Sequence, residues 1–184
     1  MKTFEQVSTV EELHRAVDLE ATRLGRLHTA RLHCKRGCIA CCVDELTVFT
    51  VEAALIRTRH GDILARQAPH APGACAFLDN AGTCRIYPDR PYVCRTQGLP
   101  LRWIEDDDAD PVELRDICPL NETPEAQPIE TLAATACWTL GPAEDALRTL
   151  QLNATGALER VPLRSLFKND AMERSNLPEC RDDR

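Results

Sequence analysis

Cys34-Lys35-Arg36-Gly37-Cys38-Ile39-Ala40-Cys41-Cys42 places four thiols within nine residues, and four more follow at Cys75, Cys84, Cys94 and Cys118. Thiolates this close repel one another and oxidise readily when free, so a bound cation is the simplest physical reason for such a run. Soft sulfur donors select zinc, copper(I) or iron-sulfur clusters over magnesium or calcium. One tetrahedral zinc or one cubane cluster takes about four protein ligands. The eight candidates therefore admit two sites, one polynuclear site, or one site with spare thiols. Were residues 34 to 42 helical, offsets of four, seven and eight would put the four thiols on one stripe. Gly37 disfavours a continuous helix, and a loop leading into one helical turn would serve equally well.

Working outward toward the N-terminus, Ser8-Thr9-Val10-Glu11 fits a capping box. It opens an amphipathic helix through Val10, Leu13, Val17, Leu24 and Leu27 to about His28. On the other side, Asp44 to Phe49 reads as a brief extended segment. Thr50 then caps a second helix through Ala53, Ala54 and Ile56 toward Arg66, with Gly61 placed to kink it or end it early. Pro69, Pro72 and Gly73 mark a loop. Asn80 to Gly82 is a turn signal that brings Cys75 and Cys84 together in a tight hairpin. Pro88 to Arg95 reads as a short helical turn carrying Cys94 back to the same region, and Leu99, Leu101 and Trp103 alternate as a short strand. The acidic run from Glu105 to Asp110 lacks the glycine-punctuated spacing of a calcium loop and reads as solvated. Apolar positions in Ile129 to Leu140 and in Ala143 to Leu152 predict two further helices, separated by Gly141-Pro142.

The expected fold is mainly α, a small irregular helical domain organised around a Cys-rich metal centre with a short hairpin. It forms a single domain over residues 1–172, with a cysteine core at 34–119 and a helical extension at 120–172. Residues 173–184 are expected to be a flexible tail. With 43% hydrophobic residues but only 4% aromatic ones, and 12 prolines in 184 residues, the apolar interior is expected to need reinforcement from the metal.

A net charge of -7 argues against nucleic acid as a partner. Basic residues nevertheless gather near the cysteines, at Lys35, Arg36, Arg85, Arg90 and Arg95, with the sign that offsets an anionic metal-thiolate centre. The start of the chain has no apolar signal-peptide core, and no run is long enough to cross a bilayer. The chain is therefore placed in the cytoplasm, with no membrane partner. There the cysteines are thiols or ligands rather than disulfides, and the adjacent Cys41 and Cys42 are poor partners for each other.

Outside the ligand set, Cys137 beside Trp138 in an apolar helix reads as a small buried hydrophobe, and Cys180 in the polar tail as a free thiol. His33 adjoins Cys34 and is placed to be a ligand or a hydrogen-bond donor to one, although a lone histidine beside a ligand is more often neither; His14, His28, His60 and His70 show no ligand spacing. Tyr87, Arg90 and Arg95 are candidates to support the centre by donating to sulfur or to backbone carbonyls around it; the plainer role for the arginines is surface ion pairing with Asp79 or Asp89. No Ser-His-acid arrangement suggests hydrolysis, and the dispersed glycines form no dinucleotide-binding turn. Cys34-x3-Cys38-x2-Cys41 matches the spacing of radical S-adenosylmethionine enzymes. Ala40, however, stands where those enzymes usually carry an aromatic residue, and the following sequence does not alternate strands and helices as their barrel requires.

The whole constellation resembles the YkgJ-type cysteine-cluster family, also described as a CxxCxxCC zinc- or iron-chelating domain. The resemblance rests on Cys34 through Cys42 with its closing pair, on Cys75-Ala76-Phe77-Leu78, on Gly82-Thr83-Cys84-Arg85-Ile86-Tyr87, on Arg90-Pro91-Tyr92-Val93-Cys94-Arg95 and on Cys118-Pro119. One departure is the first spacing, three residues rather than two. The resemblance implies metal binding through Cys34, Cys38, Cys41, Cys42, Cys75, Cys84, Cys94 and Cys118. The metal is expected as an iron-sulfur cluster of the 4Fe-4S kind serving redox or electron transfer with a protein partner. The alternative is zinc in a structural or interaction module without catalysis. Some members are labelled iron-sulfur oxidoreductases, and a related cluster occurs in flagellin lysine methylases, for which this chain lacks the additional length.

Overall fold

Thr9 caps the first helix, α1 (Val10–Leu27), in a computed structural model that describes residues 4, 7–33, 37–105, 110–123 and 125–167. Cys34, Lys35 and Arg36, residues 106–109 of the acidic run, and the 173–184 tail with Cys180 lie outside the described residues. Thr9 Oγ1 accepts from Glu12 N at 3.1 Å, and Ser8 N and Oγ donate to Glu12 Oε2 at 2.9 and 2.7 Å. The cap thus uses Thr9 and Glu12, one residue beyond the expected Ser8 and Glu11, and the Glu12 carboxylate reaches back to Ser8 rather than to the Thr9 amide. These bonds hold the Glu12 carboxyl below its ordinary range.

β1 (Thr47–Phe49) runs directly into α2 (Thr50–Arg66), whose N-cap is Phe49 and carries no side-chain cap. Thr50, expected as the cap, is already inside the helix. The cap is supplied from far away in the chain: Val51 N donates to Gln151 Oε1 at 3.1 Å, and Thr50 N to the Glu159 carbonyl at 3.2 Å. α2 kinks at His60 (φ -125°, ψ 25°), beside Gly61, and His60 Nε2 lies 2.9 Å from Asp89 Oδ2.

A 3-10 turn (Tyr87–Asp89) leads into the one-turn α3 (Tyr92–Arg95). β2 (Leu101–Glu105) and β3 (Val112–Asp116) form an antiparallel pair, and β4 (Trp138–Thr139) adds in parallel to the start of β2. α4 (Pro142–Thr155) follows Gly141 and ends at Gly156, whose φ of 73° is the left-handed conformation that glycine adopts without strain. β5 (Arg160–Pro162) returns antiparallel to β1. No helix of the described residues is long and apolar enough to cross a membrane.

The segment from Ile129 to Leu140 is not the expected helix. It forms two 3-10 turns, Ile129–Thr131 and Ala134–Ala136, and then β4. Trp138 N donates to the Pro100 carbonyl at 2.7 Å and Leu140 N to the Arg102 carbonyl at 2.9 Å, so a ladder to β2 takes the amides a helix would have used. The apolar positions were real: Ile129, Leu132 and Cys137 pack with Ile117 in a small cluster of their own. Helix outweighs strand, but two small sheets make the architecture mixed rather than mainly α.

Two larger apolar clusters carry the described fold. Leu13, Val17, Leu24, Phe49, Tyr92, Trp138 and Leu147 join α1, α3 and α4. Val48, Ala53, Ile56, Phe77, Ile86, Leu163 and Phe167 form the other, with Cys75 and Cys84 packed at its edge. Gln151 is fully buried and bridges helices by accepting from Val51 N and donating to the Ala157 carbonyl at 2.9 Å. Gln151→Leu is expected to orphan both groups and cost about 2 kcal/mol or more, read as a lower urea midpoint at unchanged slope.

Candidate metal centre

Backbone bonds, rather than regular elements, bring the cysteine segments together. Cys75 N donates to the Cys42 carbonyl at 2.8 Å, which joins the end of the first run to the start of the hairpin. Within the run, Cys42 N donates to the Ile39 carbonyl at 2.8 Å, so Cys41 and Cys42 sit on a turn and not on a helical stripe. Gly37, at φ 86°, supports the loop geometry its residue type implied.

Turn chemistry sets the hairpin. Asp79 Oδ1 accepts from Ala81 N at 2.9 Å and from Thr83 N at 2.7 Å, and an antiparallel bridge pairs Leu78 with Cys84. Gly82 has φ 70°, and a Cβ there would stand 3.3 Å from Ile39 Cγ2. The loop holding Cys38, Cys41 and Cys42 therefore rests on the hairpin tip, where only glycine allows both the turn and the approach.

Two arginines fasten the base. Arg85 donates to the Ala76 carbonyl at 2.6 Å, to the Ala68 carbonyl at 3.0 Å and to Gln67 Oε1 at 2.9 Å. Arg164 pairs with Asp44, two residues past Cys42, and donates to the His70 and Ala74 carbonyls at 2.7 and 2.9 Å, just before Cys75. Gly73 N also donates to Asp44 Oδ2 at 3.0 Å, and this bond with the Arg164 guanidinium holds the Asp44 carboxyl below its ordinary value.

Cys94 arrives on α3, which a buried polar network orients. Glu52 Oε1 accepts from Tyr92 N at 2.7 Å and lies 2.9 Å from His14 Nε2. Arg95 Nη2 lies 3.1 Å from His14 Nδ1 and donates to the Pro88 carbonyl at 2.9 Å, while Nη1 pairs with Asp18. A guanidinium can only donate, so His14 accepts at Nδ1 and gives its Nε2 proton to Glu52. Burial pushes the Arg95 guanidinium below its ordinary value, against the pull of Asp18. Arg90 donates to the Tyr87 carbonyl at 3.0 Å and the Cys94 carbonyl at 3.3 Å, and its guanidinium lies 4.2 Å from the Tyr87 ring centroid. Tyr87, Arg90 and Arg95 thus surround the Cys94 turn through carbonyls and Asp18, while Asp89 pairs with Arg59 and His60 and Asp79 serves the hairpin turn.

The thiols respond to one another. Burial pushes the Cys42 thiol up to about 12, helped by the charges of Cys41, Cys75 and Cys84. Cys94 is raised by burial first, then by Cys75, Cys84, Cys42 and Glu52. Burial also raises Cys75 and Cys84, with the backbone N–H groups of Phe77 and Ile86 and nearby arginines pulling the other way. Cys42, Cys75, Cys84 and Cys94 therefore share one electrostatic neighbourhood, with Cys41 at its edge. Cys38 is half-buried in the loop beside them.

Cys118 is held separately. It precedes the 3-10 turn Pro119–Asn121, where Asn121, fully buried, donates through N to the Cys118 carbonyl at 2.8 Å and through Nδ2 to the Gly98 carbonyl at 2.7 Å. Asn121 Oδ1 accepts from His33 N at 2.8 Å, so the Cys118 turn is fastened to the residue preceding Cys34. Cys137 lies apart in its own apolar cluster, outside any helix, with Arg115 Nη1 3.9 Å from its sulfur.

Eight cysteines of the described residues are free thiols, and no three His, Cys, Asp or Glu among the described residues form a ready-made metal-binding group. The donor chemistry nonetheless fits a thiophilic cation. Burial and mutual repulsion oppose ionisation of four clustered thiols, and a soft divalent metal or cluster relieves both.

Residues 33–119 match the family model CxxCxxCC, described as a "Putative zinc- or iron-chelating domain". This segment is similar to the CxxCxxCC family. Neither a curated protein nor a solved structure matches the chain. The CxxCxxCC domain holds all eight candidate ligands, and metal binding is the property its description carries. Residues outside it brace it: His14 and Asp18 on α1, Asn121 after Cys118, and Arg164 after β5. Sequence reasoning missed these, together with Glu52 and Asp44. Their only local signal is a polar residue set against apolar neighbours, such as Glu52 beside Ala53 and His14 beside Leu13.

Glu52→Ala is expected to cost about 3 kcal/mol, because it strips the acceptor from Tyr92 N and His14 in a buried network, whereas Glu52→Gln keeps an acceptor oxygen and loses less; denaturant midpoints measure both. The raised thiol values also fix a pH dependence. In reduced, metal-free protein their stabilising contribution is complete below about pH 9 and is lost as pH rises toward 12. Melting temperature should therefore fall across that range, and serines at Cys42 and Cys84 should flatten the fall.

Proposed function

We propose that the chain holds an iron-sulfur cluster through its thiols and serves in electron transfer. The observation that carries this reading is the shared neighbourhood of Cys42, Cys75, Cys84 and Cys94, four soft donors drawn from three segments of a zinc- or iron-chelating domain. These four would hold the group, with Cys34, Cys38, Cys41 and Cys118 completing the ligand supply. Bound there, an iron-sulfur cluster of the 4Fe-4S kind supplies one-electron redox chemistry. The chain's own contribution is placement: Arg164, Arg85 and Glu52 fix the segments, and Arg90 and Arg95 add positive charge beside Cys94. A redox role calls for a protein partner, and Ile39 and Val43 lie exposed beside Cys41 where such a partner would approach. Free thiols in this number suit a reducing cytoplasm.

The second reading, zinc in a structural module, is supported by the same four sulfurs, since a set of four cysteine thiolates suffices for a closed tetrahedral site with no open position.

Anaerobic purification with metal and acid-labile sulfide analysis separates the two. A brown protein containing iron and sulfide, bleached by dithionite, is the expected result; a colourless protein with stoichiometric zinc and no sulfide establishes the structural reading instead. Cys38→Ser and Cys84→Ser are expected to lower metal content and melting temperature, and Cys180→Ser to change neither. Equal metal loss in all three would overturn the ligand assignment.

A further inference from the structure

The 2.8 Å bond from Cys75 N to the Cys42 carbonyl also limits how far apart these two cysteines can be. With standard backbone dimensions their Cα atoms are separated by at most about 6.7 Å, a value reached only if the whole path lay in one line. Disulfides form over Cα separations of about 4.4–6.8 Å. Asp44 Oδ2 accepts from Gly73 N at 3.0 Å. The two segments therefore run in opposite directions, with Cys42 facing Cys75 and Asp44 facing Gly73. Arg164 holds both, through Asp44 on one and the Ala74 carbonyl on the other. This alignment is made by main chain and an ion pair, so it does not depend on a metal.

The other clustered thiols are set differently. Cys41 and Cys42 share one peptide, whose Cα spacing of about 3.8 Å is too short for an ordinary disulfide. Cys84 is bridged to Leu78, three residues past Cys75. Cys94 N donates to the Pro91 carbonyl at 3.0 Å and its own carbonyl accepts from Arg90, so its backbone is engaged within its own turn.

We propose that Cys42 and Cys75 close into a disulfide when a peroxide oxidises the centre, and that the cross-link releases the metal by removing two of its sulfur donors. The release rests on the reading of these thiols as ligands; the pairing rests on the backbone geometry alone. Both residues are half-buried, so a small oxidant reaches them. One sulfur attacks the peroxide, forming an S–O bond as the O–O bond breaks and one water leaves. The second sulfur attacks the resulting sulfenic acid, forming the S–S bond as the S–O bond breaks and a second water leaves. Two thiols lose two electrons, and one peroxide is reduced to two waters. The product is uncharged, so it answers the burial and mutual repulsion that oppose ionisation of Cys42, as a metal otherwise would.

The test uses full-length protein stripped of metal by a chelator, treated with hydrogen peroxide, alkylated and digested without reduction, with cross-linked peptides identified by mass spectrometry. The Cys42–Cys75 pair is expected to exceed every other pair about tenfold, because no loop has to be closed to bring it together. In urea that preference should vanish, and dithiothreitol should restore both thiols. Protein as isolated, given the same peroxide, should release its metal to a chromogenic chelator in step with the same cross-link. A different dominant pair, or an equal preference in urea, would overturn the proposal. Metal retained by protein that carries the Cys42–Cys75 cross-link would overturn the release. Protein isolated without any metal would instead overturn the reading of the thiols as ligands, and the peptide map would still decide the pairing.

Discussion

The hydrogen bond from Cys75 N to the Cys42 carbonyl is the constraint on which the cysteine architecture depends. It ties two stretches that share no helix or strand, and neighbouring contacts protect it. Arg164 and Asp44 clamp the chain on one side, and Ile39 against Gly82 presses the loop onto the hairpin on the other. The sulfurs of Cys42, Cys75 and Cys84 are brought to one place by backbone geometry. Their side chains need only rotate, which is a smaller entropic demand than closing long loops around a metal.

Cys94 is delivered by a different device. Burying Glu52, His14 and Arg95 together sacrifices hydration, and the network recovers it by satisfying an amide, a carbonyl and an imidazole in one orientation. The apolar cluster of Leu13, Val17, Tyr92 and Trp138 surrounds it. Apolar packing alone would tolerate small rotations of a one-turn helix; directional bonds to Tyr92 N and the Pro88 carbonyl do not.

What could be read from sequence was what is local. The hairpin turn follows from Asp79, Asn80 and Gly82, the α1 cap is displaced by one residue because Ser8 and Thr9 are both competent acceptors, and the α2 kink falls beside Gly61. The segment from Ile129 to Leu140 misled because its apolar spacing suits a helix, while its amides are claimed by β2, far earlier in the chain. Donor type and the family's segment were legible in the spacing of the cysteines. The residues that hold those donors were not: Arg164 reaches Asp44 across 120 positions and Asn121 reaches His33 across 88. Polar contacts of that range leave no periodicity to detect.

The thiols also differ in depth. Cys41 is exposed, while burial is the leading cause of the large upward shift at Cys94. A chelator or oxidant arriving from solvent therefore meets the exposed Cys41 sulfur more readily than the half-buried Cys94 sulfur. Reagents that modify thiols should therefore distinguish the two, with the Cys41 sulfur reacting ahead of the Cys94 sulfur.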